Sequence, residues 1–242
     1  VDMLSEFDDP DKLPGLADVE NNLGLMYYSA GLHIEAEIML KKALERRISV
    51  FGENHPDVAY TYNGLGALYS DRTDKSLALE YYRKALEIRE KNLSPNHPSV
   101  AVMYNNIGQV YVTQAKYDEA LEYLDKAMEL YRNAHGSHHS SGMINVYVNL
   151  AYVYEELKND EVAMDYYQKA IAIAESFQGR ELTSMKTLYE NVYFFYKRIG
   201  RKKEAEECLR KAEEIRIKLR EASRQHRESV EEDTNKRNKN DF

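Results

Sequence analysis

Apolar and small positions along the chain fall on helical spacings, and the helical stretches themselves recur. Tyr104, Ile107, Gly108, Tyr111 and Val112 mark one amphipathic face, which breaks at Gln114-Ala115-Lys116 and resumes at Tyr117, Ala120, Leu124, Ala127 and Leu130. This spacing predicts two helices joined by a short turn. The same layout is copied along the sequence. Tyr27, Tyr69, Tyr111, Tyr154 and Tyr196 lie 42, 42, 43 and 42 residues apart, and Ala36, Ala78, Ala120, Ala163 and Ala205 keep the same steps. So do Ala43, Ala85, Ala127, Ala170 and Ala212, while a small-residue ladder of Gly24, Gly66, Gly108 and Ala151 is broken in the fifth unit by Tyr193. A fixed period of this length predicts a repeat architecture: one helix pair cannot bury both its faces, so neighbours stack to complete the core.

The expected fold is an all-α solenoid of five helix-turn-helix repeats, ten main helices in all, over residues 17–218. The units are 17–58, 59–100, 101–143, 144–185 and 186–218, with a linker or repeat remnant at 1–16 and a helix extension and polar tail at 219–242. Glycine within a helix costs about 1 kcal/mol relative to alanine. Gly24, Gly66 and Gly108 therefore call for close helix contact, with Tyr and Leu filling the space around them. The linkers repeat as well. Phe51-Gly52-Glu53-Asn54-His55-Pro56 matches Leu93-Ser94-Pro95-Asn96-His97-Pro98, and each Pro can open a helix where a missing N–H is harmless.

Composition narrows the function classes. The chain has 242 residues and a formal net charge of −8, with 43% apolar and 31% charged residues, which suits a folded domain rather than a disordered or membrane-embedded chain. An acidic balance argues against a nucleic-acid backbone binder. A single cysteine points to a reducing compartment, and no charged-then-apolar leader opens the sequence, so a cytoplasmic setting is expected. Leu4 to Gly15 resembles the end of a helix followed by a further linker, which suggests an array continuing upstream.

The spacing of small, aromatic and Ala positions resembles tetratricopeptide repeats. The 42-residue version with Asn-His-Pro linkers is similar to the kinesin light chain and nephrocystin type, most closely at Tyr82-Arg83-Lys84-Ala85-Leu86-Glu87-Ile88-Arg89-Glu90-Lys91 and Asn105-Asn106-Ile107-Gly108. Glu20 departs from the pattern, standing where later units carry Tyr62, Tyr104, Tyr147 and Tyr189, as expected of an exposed first helix or a cut boundary. The resemblance implies a right-handed superhelix whose first helices line a concave, peptide-binding face. By position, that lining includes Asn21, Asn22, Tyr28, Tyr60, Asn63, Ala67, Asn105, Asn106, Gln109, Asn145, Asn149, Tyr152, Glu155, Glu156, Glu190 and Asn191.

Asparagine is a poor helix former, yet it recurs inside all five first helices. Its carboxamide can pair with both groups of a peptide backbone, or it can bond across to the next repeat and order the stack. Asp18, Asp71, Glu155, Glu156 and Glu190 outnumber Lys197 and Arg198 on the same face, so a neutral or basic extended segment is the expected ligand, with Glu155, Glu156 and Glu190 near its Lys or Arg. Gly64, Ala67 and Ser70 beside Tyr60 suggest a shallow pocket for one apolar anchor, although Gly64 alone would also suit close packing. These features predict a non-enzymatic scaffold without cofactor, nucleic acid or membrane, and the resemblance implies a role of cargo-adaptor or ciliary and cytoskeletal type. The alternatives are a structural subunit docking through Tyr81, Tyr82, Tyr123, Tyr166 and Tyr167 or through the array ends, and a sensor segment of a longer protein.

No catalytic constellation is legible. His135, His138 and His139 lack the spacing of metal ligands, Cys208 stands where other units have Met39, Tyr81, Tyr123 and Tyr166, and Gly64-Leu65-Gly66 lies inside a helix. The last helix is expected to run to about Glu228, with a polar, disordered end beyond it.

Overall fold

The computed structural model describes residues 14–72, 74–134, 141–177 and 182–240. Among these residues there are ten helices and no strand: α1 (Pro14–Ser29), α2 (His33–Phe51), α3 (Pro56–Asp71), α4 (Lys75–Asn92), α5 (Pro98–Thr113), α6 (Tyr117–Asn133), α7 (Ser141–Glu156), α8 (Asp160–Ser176), α9 (Leu182–Arg198) and α10 (Lys202–Asn240). They fall into two compact units, Val1–Ser137 and His138–Phe242. In the first unit α1 pairs with α2, α3 with α4 and α5 with α6, while α2 packs on α3 and α4 on α5. In the second, α7 pairs with α8 and α9 with α10, and α8 meets α9. The fold class is an all-α repeat solenoid.

The Asn-His-Pro linkers act as helix starts. His55 and His97 are the N-cap residues of α3 and α5, and each Nδ1 accepts a hydrogen bond from the backbone N–H two residues on, at Asp57 (3.2 Å) and Ser99 (3.1 Å). Proline follows at the first helical position, so one terminal donor is capped and another is removed. The turns inside each pair share a second device. Gly31, Ala115, Lys158 and Gly200 occupy equivalent positions and all have positive φ, from 56° to 81° across the chain's positive-φ residues. The N–H of the following residue then reaches back to the carbonyl of the ladder tyrosine: Leu32 to Tyr27, Lys116 to Tyr111, Asn159 to Tyr154 and Arg201 to Tyr196, at 2.9 to 3.0 Å. This six-to-one bond closes the first helix of these four pairs and sets the exit direction of the chain.

The glycines of the small-residue ladder each face one large side chain of the partner helix. A Cβ at Gly24 would meet Leu40, one at Gly66 the Tyr82 ring, and one at Gly108 Leu124. Gly64 has the same role towards Leu25 and Leu40, so it serves close packing and not a ligand pocket. The tyrosines form three-ring stacks within pairs: Tyr62–Tyr81–Tyr69 and Tyr104–Tyr123–Tyr111 in the first unit, and Tyr147–Tyr166–Tyr154 in the second. Lys84, Lys126 and Lys169 lie over these rings, and each is held by a carboxylate one helical turn earlier. Tyr82 and Tyr167 are core residues. Packing between paired helices thus already uses most of the aromatic area of the second helices.

The first pair differs from the rest by exchanging a Tyr–aliphatic contact for an ion pair. Glu20 takes the tyrosine register, and Arg46 takes the register of Ile88, Leu130 and Ile173. The two meet at 3.0 and 3.1 Å with only 12% of either side chain exposed, so Glu20 is an internal group and not a sign of an open surface. Helix α10 runs through to Asn240, beyond the end near Glu228 that composition suggested. Its Glu-, Lys- and Arg-rich sequence holds no Gly or Pro to stop it. His135, His138 and His139 lie outside the described residues.

Candidate functional site

The asparagine row divides by burial. Asn21 is fully buried, and its Oδ1 accepts from Arg47 Nη1 (3.3 Å) and from Thr61 Oγ1 (3.1 Å). Arg47, 4% exposed, also donates to Thr61 Oγ1 (2.7 Å) and to the Asp57 carbonyl (2.9 Å), and pairs with Asp18 (2.7 Å). This network joins α1, α2 and α3, which gives Asn21 a stack-ordering role and corrects its assignment as a ligand contact. Asn105 is also buried. Asn106 Nδ2 donates to Asn63 Oδ1 at 3.0 Å, a bond between the first helices of successive pairs. Asn22 and Asn145 are exposed, and Asn149 and Asn191 are half-buried.

In the first unit the structure brings Tyr28, Ala67, Asn106 and Gln109 of the expected lining together around one cavity of about 490 Å³. Ser70, Asp71 and Thr113 complete the walls from the first helices, and Lys75 and Tyr82 enter from α4. Tyr28 donates its hydroxyl to Asp71 Oδ2 at 2.6 Å across two successive first helices, and Lys75 Nζ is held by the Ser70 carbonyl. Burial, reinforced by the bond to Asp71, pushes the Tyr28 phenol well above its usual value, and burial does the same to Tyr82. Both stay neutral hydroxyls throughout the physiological range. Tyr60 does not line this cavity. Its ring is exposed, with the Arg47 guanidinium 5.9 Å from the centroid.

Sequence reasoning missed Lys75 and Tyr82 because it confined the lining to first helices. A signal for Tyr82 was present. It shares a register with Leu40, Leu124 and Tyr167, so its hydroxyl is a polar group carried on a core position.

The second unit presents Tyr152 and Glu156 to solvent, but Glu155 and Glu190 of the expected lining are engaged. Glu155 accepts from Tyr167 (2.5 Å) and from Arg198 Nε (3.3 Å), and Arg198 also pairs with Asp160 (2.6 Å). Glu190 takes Lys186 at 2.9 and 3.0 Å. Two of the three carboxylates expected to meet a basic ligand thus have internal cations. Cys208 is buried, and burial raises its thiol above the ordinary value, as suits a packing residue. Among the described residues no cluster of His, Cys, Asp or Glu could hold a metal, and no helix is long and apolar enough to cross a membrane.

Comparison with known proteins bears on the repeat. A family described as Tetratricopeptide repeat matches residues 15–91, 77–133 and 99–176, and a second tetratricopeptide repeat family matches 194–216. No curated protein matches in sequence. Among solved structures, BtubC (BKLC) from P. vanneervenii superposes with a TM-score of 0.70 at 24% identity, over 89% of this chain and 85% of that one. A Podosopora anserina putative kinesin light chain with nearly identical TPR-like repeats gives 0.63 at 19% identity, over 86% and 98%. Aspartyl phosphate phosphatase F from Bacillus subtilis gives 0.68 at 18% identity, over 84% of this chain and 52% of that longer one. These likenesses concern the fold.

Proposed function

The chain belongs to the tetratricopeptide repeat family, and from that premise we propose that it is a non-enzymatic protein-binding scaffold whose first helices hold an extended segment of a partner. The observation that carries this reading is the cavity framed by α1, α3 and α5, where Tyr28, Ala67, Asn106 and Gln109 converge from three helices. Its walls are mostly polar and neutral, which suits main-chain pairing, and Gln109 keeps an exposed carboxamide with both donor and acceptor capacity. The family's general use as interaction scaffolds supports the same reading, as does the array's acidic charge for a neutral or basic segment. A cytoplasmic adaptor associated with the cytoskeleton fits the kinesin light chain-like neighbours.

Peptides selected on the wild-type chain from a random display library provide the test. Ala67→Trp fills the cavity from a half-buried wall position and should weaken the selected peptides by about tenfold or more, with an unchanged helical signal. Unchanged affinity would contradict the groove.

One observation favours a second reading, docking through the face of the first pair. Val19 and Met26 on α1 are 60% and 66% exposed, whereas Thr61 and Leu68 on α3, and Met103 and Val110 on α5, are fully buried at the same registers. In this unit α2 covers α3 and α4 covers α5, so another amphipathic helix would cover α1 in the same manner. Val19→Glu with Met26→Glu should then abolish co-purification of such a partner while leaving library peptides bound.

A further inference from the structure

Four side chains of the cavity on the first unit each spend an N–H or O–H on a protein acceptor. Tyr28 gives its hydroxyl proton to Asp71 Oδ2 (2.6 Å), Thr113 donates to the Val110 carbonyl (2.7 Å), Asn106 Nδ2 donates to Asn63 Oδ1 (3.0 Å), and Lys75 Nζ donates to the Ser70 carbonyl. The acceptor sites these side chains leave for a guest are the second oxygen of Asp71, Asn106 Oδ1 and Thr113 Oγ1. Lys75 is the sole cation among the lining residues and makes no ion pair with Asp71, so the aspartate charge is balanced only by a phenol hydrogen bond.

Tyr82 adds an independent sign. Its side chain is 4% exposed and lines this cavity, and its hydroxyl has no hydrogen-bond partner among the described residues. The equivalent residue in the second unit, Tyr167, has one, donating to Glu155 Oε1 at 2.5 Å. The register of Glu155 is held in the earlier repeat by Ser70, whose short side chain leaves the Tyr82 hydroxyl open. An unpartnered phenol hydroxyl on a buried side chain, opening on a cavity that an aspartate also lines, is a place where one internal partner has been removed and space left for another.

We propose, on the basis of the peptide-binding reading above, that this cavity is a subsite for a single cationic side chain of the partner, a lysine ammonium or an arginine guanidinium. Asp71 supplies the counter-charge. The Tyr82 hydroxyl, Asn106 Oδ1 and Thr113 Oγ1 accept its N–H groups, and the Tyr28 and Tyr82 rings offer π faces to the charge. An anion is disfavoured, because it would face Asp71.

The test uses peptides selected from a random display library on the intact wild-type chain. Each is resynthesised with its basic residues neutralised one at a time, lysine to norleucine and arginine to citrulline, and titrated against wild type, Asp71→Asn and Tyr82→Phe. The result expected is one basic residue whose neutralisation weakens binding by about tenfold on wild type and hardly at all on Asp71→Asn, since the two changes remove the same interaction. Tyr82→Phe keeps the ring that fills the core, and it should weaken the basic peptide several-fold while leaving its neutral analogue unaffected. Far-UV circular dichroism shows that each variant is folded. Peptides that lose binding to Ala67→Trp yet have no basic residue coupled to Asp71 would overturn the cationic subsite while the groove stands. Peptides indifferent to Ala67→Trp would remove the groove and the subsite together.

Discussion

A methyl group at Gly66 would stand 2.5 Å from the Tyr82 ring, and the ring is too rigid to yield as a flexible side chain would. Gly66→Ala is therefore expected to lower stability by about 1–3 kcal/mol, the range for overpacking a close contact, and to push the ring towards the cavity. Chemical denaturation reads the first effect and weakened peptide binding the second. That glycines at this register mark close contact was legible in the ladder of Gly24, Gly66 and Gly108. Which side chain each one admits was less so, because it depends on a second ladder, Leu40, Tyr82, Leu124 and Tyr167, that alternates in size and polarity. The buried network was harder still. Asn21 reads as one more groove asparagine until Arg47 is seen to reach it from the second helix. Replacing Arg47 with Met strips bonds from Asn21, Thr61 and the Asp57 carbonyl at once, and urea unfolding should register a loss of about 3 kcal/mol, the low end for breaking a buried pair, because Asp18 can turn to water.

At the scale of elements, helix existence was plain from the spacing, and the capping of each helix was only half visible. Pro56 and Pro98 announced helix starts, and the structure adds that the preceding histidines cap through Nδ1. The left-handed turn position was hidden because its occupants, Gly31, Ala115, Lys158 and Gly200, share no side-chain chemistry, only a backbone demand. Since a non-glycine residue loses roughly 1 kcal/mol or more in that conformation, Ala115→Gly should raise stability by about 1 kcal/mol, visible as an upward shift in thermal midpoint. The contact of α2 with α3 carries a pH dependence. Glu37 accepts from Lys41, from the Tyr69 hydroxyl and from Arg72, and these bonds, Lys41's first, lower its carboxyl to about 2 from the ordinary 4.5. A depressed carboxylate stabilises the fold fully above the ordinary value, and that stabilisation is lost as pH falls towards the native one. Glu37→Gln should accordingly flatten the stability profile between about pH 4.5 and 2, measured by urea unfolding across that window.

For the molecule as a whole, the period encoded the fold because every repeat must bury the same faces, and a copied constraint leaves a copied pattern. A binding site leaves no such trace. The cavity sits where one repeat departs from its neighbours, with Ser70 in the register of Glu155 and Tyr82 in that of Leu124, and departures from a ladder carry no period to detect. Charge balance misled in the same way: Glu155 and Glu190 count as acids in the sequence, but Arg198 and Lys186 hold them in the structure, which leaves Asp71 and Glu156 as the less encumbered carboxylates of the expected lining. The most direct test of the scaffold account is hydrogen exchange of the chain with and without a captured partner segment. The account predicts slowed exchange in peptides covering 64–75 and 105–113, around the cavity on α3 and α5. Slowing confined to the second helices α2, α4 and α6 or to α10 would contradict it.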